Sequence, residues 1–189
     1  MGVSSVMSAL TRLAGLACLA LLMAGAPALP QERLRLAPAE RDWLAVHNAA
    51  RAEVGLGPLV WNPALAGDAR DWAESLAARE TFQHDPRLRE RGQGENLWRG
   101  TLGAYAPRQM IEPFVAERRH FRPGTFPKVS RTGRWSDVAH YTQIIWPETQ
   151  QVGCALARSS RDEVLVCRYW PAGNMIGYRL DPAQRLTRR

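Results

Sequence analysis

Apolar residues fall at helical spacing in four stretches of the chain and crowd into short runs near its end. Trp43, Val46, His47, Ala50 and Val54 share one stripe, the pattern of a helix with a single buried face. That predicts a first helix from Pro38 to Val54, with Pro38 in the first turn and Gly55 as the stop. A second helix is predicted to start after Asn62, a good N-cap, with Pro63 at the first helical position. Leu65, Ala69, Trp72 and Leu76 would form its buried face. A third covers Met110 to His120, where Pro113 predicts a kink or a late start. A fourth, short helix runs from Val138 to Trp146, capped by Asp137 and ended by Pro147.

Gln151 to Arg158 and Asp162 to Trp170 read as a β-hairpin. Val164, Leu165 and Val166 are apolar in succession, which predicts a strand covered on both faces. Shorter strands are expected near Glu95 to Trp98 and Ile176 to Leu180. Helices before, between and after a small sheet predict an α+β fold, a three-layer α-β-α sandwich around a small, mainly antiparallel sheet. The glycine-rich stretch from Gly92 to Gly103 lacks the spacing of a phosphate cradle.

The N-terminus changes the picture of compartment. Arg12, the only charge before Glu32, precedes an apolar run from Leu13 to Ala24. That run falls short of the roughly 20 residues a bilayer span needs, and small residues follow it. It reads as a secretory signal over residues 1–28, cleaved after Ala28, with a linker at 29–36. The domain is expected at 37–180 and a basic tail at 181–189. The mature chain would carry no transmembrane segment and be secreted or periplasmic. About 160 residues remain, one ordinary domain.

The formal net charge is +7 and Lys128 is the only lysine. Acids are interspersed with the arginines almost everywhere, and no basic helix face or aromatic RNA motif appears, so a solvated surface is a better reading than nucleic-acid binding. Without Cys18, only Cys154 and Cys167 remain. A hairpin turning at Ser160-Arg161 sets them directly opposite, so an exported chain should join them in a disulfide. Closing a loop of ~14 residues stabilises by roughly 3 kcal/mol in the chain-entropy model.

Four histidines could carry chemistry. His47 lies on the buried stripe of the first helix and reads as structural. His140 falls in the first turn of a short helix, where a neutral ring suited to a metal is favoured. His84 follows the second helix, Glu95 lies in Gly94-Glu95-Asn96, and Glu117 stands near the end of the third helix. Spacing alone gives no metal motif, since there is no His-Glu-x-x-His, no Cys-x-x-Cys and no Gly-x-Ser-x-Gly elbow.

Five ordered segments nonetheless form a known pattern. His47-Asn48-Ala49-Ala50-Arg51 with Gly55-Leu56-Gly57-Pro58-Leu59 is the first, and Gly94-Glu95-Asn96-Leu97 the second. His140-Tyr141-Thr142-Gln143-Ile144-Ile145-Trp146, then Val152-Gly153-Cys154, then Cys167-Arg168-Tyr169-Trp170-Pro171-Ala172-Gly173-Asn174 complete it. The chain thereby resembles the CAP superfamily of cysteine-rich secretory, antigen-5 and pathogenesis-related class 1 proteins, closest to its plant and bacterial branch. The resemblance implies an α-β-α sandwich and a cleft tetrad of His84, Glu95, Glu117 and His140. It implies that the two histidines hold a divalent metal, zinc foremost, with open positions left for water.

The chain departs from the pattern in making one disulfide where several relatives make three. It also places Pro113 in the helix presenting Glu117, and lacks the Pro-Tyr ending of the last motif. The function implied is binding of an amphipathic, lipid-like or sterol-like ligand, or of an envelope or extracellular partner, by a monomer that is not foremost an enzyme. A metal-dependent hydrolase or peptidase using the same tetrad, and a purely structural envelope module, are the competing readings.

Overall fold

Two prolines open the first two long helices, and glycines or left-handed residues close them. The computed structural model describes residues 1–2 and 36–181. The chain divides into a unit Met1–Arg35 and a unit Leu36–Arg189, and every element below belongs to the second. The expected export signal, its cleavage site and the tail from residue 182 onward lie outside the described residues. No helix among the described residues is long and apolar enough to cross a membrane.

In chain order the elements are α1 (Pro38–Glu53), β1 (Val60–Trp61), α2 (Pro63–Arg79), α3 (Leu88–Arg91), β2 (Gly94–Thr101) and α4 (Pro107–Ala116). They continue with β3 (Gly124–Thr125), α5 (Ala139–Ile144), β4 (Gln151–Arg158), β5 (Asp162–Trp170) and β6 (Arg179–Leu180). Asn62 caps α2 as its sequence predicts, its Oδ1 accepting from the Ala64 and Leu65 amides at 2.8 and 3.3 Å. Gly55, at φ 74°, follows α1, where only a residue without Cβ turns freely.

The main sheet has the order β1-β4-β5-β2. β1 runs parallel to β4, and the other pairs are antiparallel. The β4–β5 register sets Cys154 opposite Cys167, and the two are joined in a disulfide. Side chains alternate cleanly between two cores, as the period of a strand requires. Leu97, Ala155, Val164 and Val166 pack against α2. Trp98, Val152, Cys154, Leu165, Cys167 and Tyr169 pack with Trp43, Ile111, Phe114 and Ile144 of α1, α4 and α5. The sheet is thus covered on both faces and the α-β-α sandwich stands. On the α2 face Gly153 is obligatory, because a Cβ there would meet the Ala66 amide nitrogen at 2.3 Å.

Several boundaries move from their sequence expectations. β2 extends to Thr101, pairing along all of its length with β5. The helix expected from Met110 begins at Pro107 and runs through Pro113. Pro113 and Gln109, whose carbonyl it leaves without a helical donor, are both exposed. The helix then tightens into a 3₁₀ turn over Glu117–His120. The strand expected from Ile176 shrinks to Arg179–Leu180, paired with β3, because Met175 to Tyr178 closes a turn. α5 is shorter than Val138 to Trp146, and Asp137 does not cap it. Asp137 instead accepts from Thr132 Oγ1 at 2.6 Å and from Arg134.

Candidate functional site

The capping group missing from α5 arrives from 23 residues upstream. Glu117 Oε2 accepts the backbone N–H of His140 at 3.0 Å and of Tyr141 at 3.1 Å. These are the two donors an N-cap side chain ordinarily takes. Its other oxygen, Oε1, accepts from His140 Nδ1 at 2.6 Å. One carboxylate therefore ends the helix and orients the ring. Phe114, on α4, stacks on that ring with centroids 4.6 Å apart, so α4 supplies both the carboxylate's approach and a flat apolar support. Pro113 does not displace Glu117.

The second pair forms at the start of β2. His84 Nδ1 donates to Glu95 Oε1 at 2.7 Å, and the Asp85 amide reaches the same oxygen at 3.2 Å. The Glu95 side chain is fully buried while that of His84 is 62% exposed, so the carboxylate is fixed by protein and the ring faces water. Behind Glu95 lies a charged cluster that sequence reading did not single out. Arg168, wholly buried, donates through Nη2 to Asp85 Oδ2 at 2.8 Å and lies 3.3 Å from Glu95 Oε2. Arg87 closes on Asp85 from the surface. Burial works against the Asp85 charge, but the bonds from Arg87 and Arg168 outweigh it and hold the carboxyl well below its usual range. The available signal was alternation: Arg168 occupies an inward position of β5, in line with Val164 and Val166, where an arginine needs a buried acid.

β2 is an edge strand, and the two pairs flank its first residues. Glu95 turns toward the α2 side. Asn96 turns the other way and donates to the His140 carbonyl at 3.1 Å and to the Tyr169 hydroxyl at 3.0 Å. Position 95 thus holds His84 directly, and position 96 reaches His140 through its carbonyl, with Glu117 joined on through His140. Gly94 keeps this corner tight, since a Cβ there would overlap the buried Gln143 carboxamide. Gln143 in turn accepts from the Gly173 amide at 3.0 Å, tying α5 to the loop after β5.

In both pairs Nδ1 is turned to the carboxylate, so Nε2 is the ring nitrogen directed away from it. This carboxylate–imidazole arrangement is the one that orients histidine toward a metal. The donor set offers two imidazole nitrogens. No three tetrad ligand atoms lie within 4.8 Å of one another among the described residues. The group that does meet that distance is His47, Cys154 and Cys167, but the disulfide removes both thiolates from metal chemistry. His47 itself is closed, donating from Nδ1 to the Trp43 carbonyl at 2.7 Å and accepting the Tyr169 hydroxyl on Nε2 at 2.7 Å. Burial lowers its pKa to about 4.

Comparison with known proteins gives a consistent result. The model of the cysteine-rich secretory protein family, CAP, matches residues 44–169. Pathogenesis-related leaf protein 6 of Solanum lycopersicum is 37% identical over 140 residues, 74% of this chain and 81% of the relative. A pathogenesis-related protein of PR-1 type from Sambucus nigra is 34% identical over 142 residues, 74% and 80% of the two chains. Among solved structures, NaASP2 with Zn2+ superposes with a TM-score of 0.59 at 23% identity, over 75% of this chain and 84% of that one. Venom allergen-like protein 4 of Schistosoma mansoni gives a TM-score of 0.56 at 21% identity, over 78% and 98%. These two likenesses concern the fold.

Proposed function

We propose, from the premise that this chain belongs to the CAP family of cysteine-rich secretory proteins, that it is an exported binding protein whose histidine–glutamate pairs take up one divalent ion. The observation that carries this is the matched orientation of the two rings. Each imidazole turns Nδ1 to a carboxylate, at 2.7 and 2.6 Å, and leaves Nε2 as the nitrogen available to an ion. Both rings are open to water, His84 more than His140. His84 and His140 would hold the ion through Nε2, with Glu95 and Glu117 behind them as orienting groups. Imidazole nitrogen suits zinc, copper or nickel over magnesium or calcium, and one structural relative is described with Zn2+. The bound ion would supply Lewis acidity to a water or ligand oxygen.

Export is supported by the joined cysteines, which persist in oxidising compartments, and by the signal read in the first 28 residues. An amphipathic or envelope partner is the class the family resemblance implies, and exposed apolar side chains away from the site suit it.

Calorimetric titration with zinc decides the metal reading. Wild type should take up one equivalent with modest affinity, as two protein nitrogens imply. The His84→Ala, His140→Ala double variant should show none. Equal binding by both proteins, or by neither, would leave the tetrad a structural polar cluster. Zinc-dependent turnover abolished by His140→Ala would replace binding with hydrolysis as the function.

A further inference from the structure

The arginines are not dispersed everywhere. From Arg118 to Ser136 the chain carries Arg118, Arg119, Arg122, Lys128, Arg131 and Arg134 and no acidic residue. This segment folds back on itself: the Arg122 amide donates to the Val129 carbonyl at 2.9 Å and the Arg131 amide to the His120 carbonyl at 2.7 Å. β3, within it, pairs with β6, setting Thr125 opposite Arg179. Among the described residues, Arg118 pairs with Glu53, Arg134 with Asp137 and Arg179 with Asp181, while Arg122, Lys128 and Arg131 pair with no acid.

An apolar tip rises beside these cations. The Phe126 amide donates to the Tyr178 carbonyl, and the Gly177 amide to the Phe126 carbonyl, at 2.8 and 2.9 Å. The Tyr178 amide reaches the Met175 carbonyl at 3.2 Å, closing a tight turn with Gly177 at φ 85°. The turn points its side chains outward: Ile176 is 80% exposed, Met175 45% and Tyr178 37%. Trp135 stands next to them at 48% exposed, its ring 5.7 Å from that of Phe126.

We propose that this tip is a membrane-docking surface, inserting Met175, Ile176 and Trp135 into the interfacial layer of an anionic lipid bilayer while Lys128, Arg122 and Arg131 meet the headgroups. The charge is complementary: juxtaposed basic residues are drawn to anionic leaflets, and tryptophan and tyrosine settle at the headgroup level. A soluble polyanion would engage the cations but gain nothing from a projecting isoleucine and methionine. The surface excludes both histidine–glutamate pairs, so it stands or falls independently of the metal reading.

Co-sedimentation of the full chain with vesicles of equal parts phosphatidylcholine and phosphatidylglycerol tests it, against vesicles of phosphatidylcholine alone. The N-terminal segment is common to all proteins compared. Wild type should bind the anionic vesicles, release with rising salt, and shift its tryptophan emission to the blue. Met175→Ser with Ile176→Ser, two exposed changes that should leave the near-ultraviolet circular dichroism intact, should weaken partition about tenfold or more. Lys128→Gln with Arg131→Gln should weaken it about fivefold per cation. Parental affinity in the serine variant overturns the proposal: if the glutamine variant alone fails and heparin competes, the surface binds a soluble polyanion. Absence of binding by the wild type also overturns it.

Discussion

The Asn96 amide gives one hydrogen to the His140 carbonyl and the other to Tyr169, which in turn bonds to His47. Two histidines of opposite character are therefore linked through one amide nitrogen, His140 by its backbone carbonyl and His47 by way of Tyr169. His47 is wholly buried and has both nitrogens occupied, by Trp43 and Tyr169. His140 has one nitrogen occupied, by Glu117, and its side chain is 33% exposed. Residue type is the same and the elements are neighbours. What separates a structural histidine from a candidate ligand is whether the second nitrogen is satisfied inside the protein, and whether water reaches it. The carboxylate partner sharpens the difference, because Glu117 engages Nδ1 and leaves Nε2 without a protein partner, whereas the Trp43 carbonyl and Tyr169 hydroxyl leave His47 nothing to offer.

The largest expected effect breaks the closed end. His47→Ala removes a packed ring and leaves the Tyr169 hydroxyl hydrogen without its acceptor. It should cost about 3 to 4 kcal/mol in urea denaturation. His84→Ala, at the exposed end, should cost about 1 kcal/mol or less. Similar losses from both would erase the contrast.

Acid sharpens it next. His47 titrates at about 4 in the folded chain against 6.5 unfolded. Between those values the unfolded chain binds a proton that the native protein refuses, so stability falls as pH falls from 6.5 to 4. The loss should approach ~3 kcal/mol at the lower end, at 1.36 kcal/mol per unit. A His47→Gln variant, less stable throughout, should lose that part of the slope in thermal melts taken across the window. Below about pH 3.8 a second loss begins, because the unfolded chain's Asp85 takes a proton that the folded carboxyl, held below that ordinary value, refuses; the contribution is gone once pH drops through the folded value.

A smaller effect than either of these tests the cap at the open end. Glu117→Ala removes the remote cap of α5 and should cost about 1 to 2 kcal/mol. It should also weaken zinc uptake, because the ring loses its tautomer and its orientation. A stability loss with unchanged zinc binding would confine Glu117 to capping.

Much of the scaffold was legible along the chain. Asn62, Pro63 and the stripe through Trp72 announced α2, and the mirror placement of Cys154 and Cys167 announced both the hairpin register and the disulfide. The Val164-Leu165-Val166 run announced a strand between two layers, and all four tetrad residues were named from the motif pattern. The starts and ends of weaker elements were not legible. β2 continues through Gly100 and Thr101 because β5 supplies hydrogen bonds on one side, a gain invisible in residues that form strands poorly on their own.

Caps, stripes and strand alternation are decided by residues a few positions apart, which is why the sequence by itself determined α1, α2, the β4–β5 hairpin and the two faces of the sheet. The polar contacts of the site join residues far apart in the chain. Glu117 reaches His140 across 23 positions, Arg168 reaches Asp85 across 83, and Tyr169 reaches His47 across 122. Those contacts exist only once the sheet and its helices close, because a buried charge or ring nitrogen takes whichever partner the packed fold delivers. The helical stripe had already marked His47 as buried, but only tertiary structure supplied the partner that seals its second nitrogen and the carboxylates that hold His84 and His140.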